Sequence, residues 1–126
     1  MQLNILNLTQ LIPLENDFNV YLFFQKMATS FPLLDSISKQ TKDDIEISAE
    51  DKENMIKSIK KFDKNKQELV YGLIKAHFIE SGKHAVGLPY EGQKMKTGPR
   101  FDLEKLPKDL LKILQKFVEL NNDIRN

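Results

Sequence analysis

The sequence predicts a mostly α-helical protein: a small three-helix bundle with a short strand or β-hairpin between its second and third helices, preceded by an N-terminal extension that is partly helical. Three observations carry this reading. Apolar residues recur at helical spacing in three stretches, near residues 49–61, 65–80 and 107–121. A long Gly/Pro-rich segment from Lys83 to Pro99 separates the second stretch from the third. Just before the third, Phe101 and Leu103 alternate with Arg100, Asp102 and Glu104, the period of a half-buried strand.

The chain opens on an apolar arm, Leu3, Ile5, Leu6, Leu8, Leu11 and Ile12, which Pro13 closes and in which neither the helical nor the strand period prevails. Asn16 or Asp17 is suited to cap a helix carrying Phe18, Tyr21, Leu22, Phe24 and Met27, although residues 18–24 are also aromatic and β-branched enough for a strand. Thr29 to Pro32 reads as a break, Leu33, Leu34 and Ile37 as one or two further turns, and Ser38 to Asp44 as a polar linker. Residues 1–45 are therefore read as an arm with a helical extension, and residues 46–126 as the helical domain. The arm is too apolar to stay open to water in one patch. It is expected to pack or associate outside any peptide groove, which leaves a homo-oligomer through residues 1–40 open.

Ser48 and Asp51 have the spacing of a capping box, so the first helix of the domain should start beside them, with Met55, Ile56, Ile59 and Phe62 on one face. Asp63 to Lys66 is a turn that restarts the chain into residues 67–79, apolar on nearly every side, as a central helix is. Leu69, Leu73 and Ile74 are its expected core, and Ser81 with Gly82 ends it. A hairpin would account for the turn at Glu91 and Gly92, pairing about residues 86–90 with 95–103. Phe101 to Glu104 should be extended. Pro107 belongs at or near the first position of the last helix, where its missing N–H costs nothing, and Leu110, Ile113, Leu114, Phe117 and Val118 mark the buried face.

A length of 126 residues fits one compact domain, and Lys+Arg 19 against Asp+Glu 18 gives no global field toward nucleic acid or an anionic membrane. Cysteine is absent, which removes disulfides, thiolate nucleophiles and Cys-based zinc sites and fits a reducing compartment. No apolar run approaches the ~20 residues of a membrane span. The N-terminus lacks the basic region and cleavage site of a secretory signal, so an intracellular location, nuclear or cytoplasmic, is expected without a membrane partner.

No residue pattern demands catalysis. His77 and His84 are the only histidines and match no ligand spacing, and Gly82, Gly87 and Gly92 form no phosphate-cradling motif. Neither an enzyme, a metal nor a cofactor is expected. Lys94, Lys96, Arg100, Lys105, Lys108 and Lys112 make a basic strip that, with Tyr90 and Phe101 for stacking, offers a nucleic-acid reading. Glu91, Asp102, Glu104 and Asp109 are interleaved with it, so a solvated mixed-charge face is preferred. A third reading is a structural subunit docking through its apolar arm.

Asp51-Lys52, Met55 and Ile59, then Leu69, Leu73 and Ile74, then Phe101-Asp-Leu-Glu-Lys-Leu106 followed by Leu110 and Phe117-Val118, resemble the extra-terminal (NET) domain of bromodomain-containing transcriptional regulators over about residues 48–120. Phe62-Asp63 stands where that family has Leu-Pro. The resemblance implies a three-helix, non-enzymatic module whose strand receives an extended peptide of a transcription or chromatin partner by β-strand addition. It also implies the binding residues: Arg100, Phe101, Asp102, Leu103 and Glu104 on the strand, with Leu73, His77, Ile113 and Phe117 in the groove between helices. Family members carry acidic residues beside the strand that select basic ligands. Here Pro99 and Arg100 take those places and leave Asp102 and Glu104 as the negative side, and the longer hairpin offers the strand a second neighbour.

Overall fold

A computed structural model describes residues 5–8, 31–41, 46–82, 88–95 and 98–123. In chain order these form strand β1 (Ile5–Asn7), helix α1 with residues 31–38 helical, helices α2 (Ala49–Lys60) and α3 (Lys64–Glu80), strands β2 (Gln93–Met95) and β3 (Gly98–Asp102), and helix α4 (Lys108–Asp123). The architecture is mostly helical with one small antiparallel sheet of order β1-β3-β2. The helix expected over residues 17–27 lies outside the described residues. Phe31 and Pro32, expected in a break, are already helical.

Local chemistry fixes the helix starts. The Ser48 Oγ accepts from the Asp51 N–H at 3.0 Å while the Asp51 carboxylate accepts from the Ser48 N–H at 3.1 Å, a complete capping box. Asp63 does the same work for α3, accepting from the Lys66 N–H at 2.9 Å. At α4 the Pro107 carbonyl accepts the first helical bond, from Leu111 at 3.0 Å, so Pro107 sits one residue before the helix and not in its first position. Gly82, at φ 81°, turns the chain out of α3 in a conformation that a Cβ would penalise.

The core is one cluster. It draws Leu6, Leu8, Leu34 and Ile37 from the N-terminal segment together with Met55, Ile59 and Phe62, Val70, Leu73 and Ile74, and Leu110, Ile113, Leu114, Phe117 and Val118. The residues expected as a separate arm and those of the helical domain thus share the same interior. Leu69, expected among the most buried positions of α3, is only partly so, and Val70 and Ala76 are fully buried instead. Phe62 meets Phe117 edge to face at 6.1 Å between centroids, which locks the end of α2 to α4. The one buried polar side chain of the described residues, Gln67, donates from Nε2 to the Ile59 carbonyl at 3.1 Å and so serves the C-terminal end of α2.

Two expectations about the sheet are corrected. The strand does not reach Glu104: Asp102 ends it by accepting from the Glu104 N–H at 2.9 Å, which bends Leu103–Lys105 into a 3-10 turn. Glu91 and Gly92 are not the hairpin turn either. Pro89–Glu91 is a tight turn in which Tyr90 (φ 52°, ψ 42°) and Glu91 (φ 59°) adopt left-handed backbone, and β2 follows it to pair with β3 as Gln93 with Arg100, Lys94 with Pro99 and Met95 with Gly98.

Gly92 is required by proximity. A Cβ built there would stand 2.6 Å and 2.9 Å from two ring carbons of the buried Phe101. Gly92→Ala should therefore cost about 1–3 kcal/mol by overpacking, read as a lowered urea midpoint with the denaturant slope unchanged.

Candidate functional site

The sheet is built around β3, and β3 has neighbours on both edges. On one side lies β2; on the other, β1 runs antiparallel, with Ile5 opposite Asp102, Leu6 opposite Phe101 and Asn7 opposite Arg100. The Leu8 N–H continues the pairing by donating to the Pro99 carbonyl at 2.9 Å. Proline is uncommon in a central strand because it lacks a donor. Here the missing donor falls opposite Leu8, just past the end of β1, where it removes no bond from the Ile5–Asn7 pairing.

Period-two alternation divides this sheet into two faces. Leu6, Leu8 and Phe101 point into the core, at 1%, 0% and 0% exposure. Ile5, Asn7, Gln93, Arg100 and Asp102 face outward, and Ile5, Gln93, Arg100 and Asp102 join Glu91 and Lys105 around a shallow polar depression of about 200 Å³. On the far side of β1, Ile5, Leu6 and Asn7 face Ile56 and Lys60 of α2 across a second depression of about 180 Å³. The N-terminal segment, expected to pack outside the peptide groove, instead lies along the strand in the manner of an added peptide.

The residues implied as peptide-binding fall into three groups. Phe101, Leu103, Leu73, Ile113 and Phe117 are buried in the core cluster. Arg100 and Asp102 are half-buried on the outer face, and Glu104 is exposed and paired with Lys52 at 3.0 Å. His77, in the last turn of α3, stands apart from both and bridges that helix to Tyr90 and Asp109. Reasoning from sequence missed Ile5, Leu6, Asn7 and Leu8, although Leu6-Asn-Leu8 carries a two-residue period.

The His77 Nε2 lies 2.8 Å from the Asp109 carboxylate and its Nδ1 lies 2.7 Å from the Tyr90 hydroxyl. In the neutral ring, Nε2–H donates to Asp109 and Nδ1 accepts from Tyr90. Burial pushes the Tyr90 hydroxyl above its ordinary range, a hydrogen bond with Ser81 opposes this and the Asp109 charge adds to it. Burial also raises the Asp109 carboxyl, but the His77 hydrogen bond and charge, with backbone N–H groups of the first turn of α4, outweigh it and hold the group below its ordinary value. Neither depression at the sheet is lined by His77, Tyr90 or Asp109. This trio ties the left-handed turn to α3 and α4, and the edge of Tyr90 against Phe78, 5.0 Å between centroids, completes the clamp.

The Asp109 pairing should appear as a pH-dependent increment of stability. A carboxyl whose folded pKa is depressed stabilises the fold above its unfolded value near 3.8 and loses that contribution as pH falls through the folded value. Asp109 is 71% exposed, so the contribution at neutral pH should not exceed about 1 kcal/mol. The melting temperatures of the natural protein and Asp109→Asn should differ at about pH 6 and converge in acid, as pH falls through the depressed folded value. A gap that persists in acid would show that the carboxylate charge is not its source.

Among the described residues, no three His, Asp or Glu side chains are grouped to hold a metal ion, and no helix is long and apolar enough to cross a membrane. Comparison of the chain with models of known families, with curated proteins and with solved structures gives no match.

Proposed function

We propose that this chain is a NET-like, non-enzymatic interaction module that binds an extended peptide of a transcription or chromatin partner by β-strand addition to β3, in the place that β1 holds. The observation that carries this reading is the seating of β1. Residues 5–8 lie extended and antiparallel to β3, with Leu6 and Leu8 buried in the core. The groove therefore accepts an extended chain of apolar-polar-apolar pattern, the geometry by which strand-adding domains take main-chain hydrogen bonds for affinity and side-chain pockets for selectivity. The resemblance of Phe101 to Leu106 to the NET strand supplies the class of partner.

Binding in that place requires exchange. Burial of leucines such as Leu6 and Leu8 is worth about 1.5–3 kcal/mol each, so an incoming segment must present comparable apolar side chains as it replaces β1. The test is a titration of the isotopically labelled full chain with a synthetic peptide carrying leucines at alternate positions. Amide shifts should concentrate on Gly98 and residues 100–102, and residues 5–8 should move to the shifts of an unpaired segment. Changes confined to α4 or to the His77 cluster would remove the strand-addition reading.

A further inference from the structure

We infer that β1 is a replaceable occupant and that the segment fitting its place best carries a basic residue, leucine, an acidic residue and leucine in succession, where this chain has Ile5, Leu6, Asn7 and Leu8. This rests on the strand-addition reading above and names the chemistry of the partner.

The register supplies the pattern. In an antiparallel ladder, hydrogen-bonded and non-hydrogen-bonded pairs alternate, and facing side chains come closest at the non-hydrogen-bonded ones. The bond from Leu8 N–H to the Pro99 carbonyl makes Leu8 with Pro99 a hydrogen-bonded position, and by alternation Leu6 with Phe101 is another. The close pairs are then Ile5 with Asp102 and Asn7 with Arg100. At both, the N-terminal segment sets an uncharged side chain against a charged one. Among the described residues Arg100 and Asp102 form no ion pair, while their neighbours Glu91 and Lys105 pair with each other at 3.0 Å.

Each substitution in an incoming strand has a charged group to meet. A cation in the place of Ile5 faces Asp102 on the outer face of the sheet. An anion in the place of Asn7 faces Arg100, while Lys60 borders both Ile5 and Asn7 on the α2 side and does not distinguish the two places. Arg100 and Asp102 are half-buried, so solvent screens such pairs less than it screens pairs standing free at the surface. The inward positions leave little choice, because the groove already holds two leucines with almost no exposed surface. The selectivity of the strand therefore resides in its two outward places, with opposite signs in a fixed order.

Two composition-matched variants of the full chain test the order of charge without any partner: Ile5→Lys with Asn7→Glu, and Ile5→Glu with Asn7→Lys. The first should melt at the higher temperature, since both lose the same side chains and differ only in which charge faces which. Fluorescent peptides containing Lys-Leu-Glu-Leu or Glu-Leu-Lys-Leu are then titrated into the full chain carrying Leu6→Ser, which loosens the resident strand. Cross-strand charge pairs of ordinary strength predict a preference of about 2- to 20-fold for the first peptide. The further change Arg100→Glu with Asp102→Lys, with helicity checked by circular dichroism, should reverse it.

Equal melting temperatures of the matched variants, or equal affinities of two peptides that both shift residues 98–102, would overturn the charge pattern and leave strand addition standing. Binding of neither peptide at millimolar concentration would overturn both. A dimer of the Leu6→Ser chain in sedimentation would make a second copy of the chain the occupant and overturn the inference.

Discussion

Leu73→Ala should lower the unfolding free energy by about 2–5 kcal/mol, the range found when a leucine is emptied from a core that cannot close around the gap. Leu73 is fully buried in α3, with Val70, Ile74 and Ala76 on the same helix equally so, and α3 packs against α4. The site has no freedom to collapse, because Asp63 pins one end of the helix and the His77 bridges to Tyr90 and Asp109 hold the other. Urea denaturation followed by far-ultraviolet circular dichroism reads the loss directly. Amide exchange should accelerate in all of α2, α3 and α4 together, because Leu73 can reach water only by global unfolding. A change below 1 kcal/mol would mean that α3 is not the centre of the core.

Leu6→Asp should produce a loss of similar size with a different signature. An unpaired carboxylate at a position 1% exposed is far too costly to keep there, so the segment should leave its groove and take the charge into water. The loss is then capped at the free energy that docks β1. Exchange of the Phe101 amide, which by the alternation of the ladder faces β1, should rise, while the amides inside α3 keep most of their protection. If instead the whole protein unfolds, β1 is indispensable to the helical core and cannot be an exchangeable occupant.

The helices were legible because their signals are local. Ser48 with Asp51 and Pro107 each mark a start within three residues of the groups they serve, and the buried faces of α2 and α4 follow the 3.6-residue period, whereas residues 63–66, read as a turn, are the cap and first turn of α3. The limits of the strand were not. Leu103 continues the alternation of β3, yet it is the Asp102 carboxylate, bonding two residues ahead, that ends the strand. Gly92 resembled a turn glycine, whereas its role is to let Phe101 approach and the left-handed backbone falls on Tyr90 and Glu91. Five of the nine implied binding residues are core, because the same apolar spacing that lines a groove also fills an interior. The pairing of β1 with β3 joins segments far apart in the sequence, and no short-range pattern announces which of several apolar segments will meet a given strand.

That distance also orders events in time. The helices and the β2–β3 pair close short loops, whereas joining β1 to β3 closes the long loop between Asn7 and Gly98, at an entropic cost on the order of 4 kcal/mol if nothing else were formed. The low-cost route assembles the helices first and seats β1 last on a finished surface. During synthesis β1 is made well before β3 and must wait for its partner strand. A segment that arrives late on a completed surface folds as a ligand binds, so its rate should depend little on substitutions inside α2 or α3 and strongly on whatever else competes for the groove.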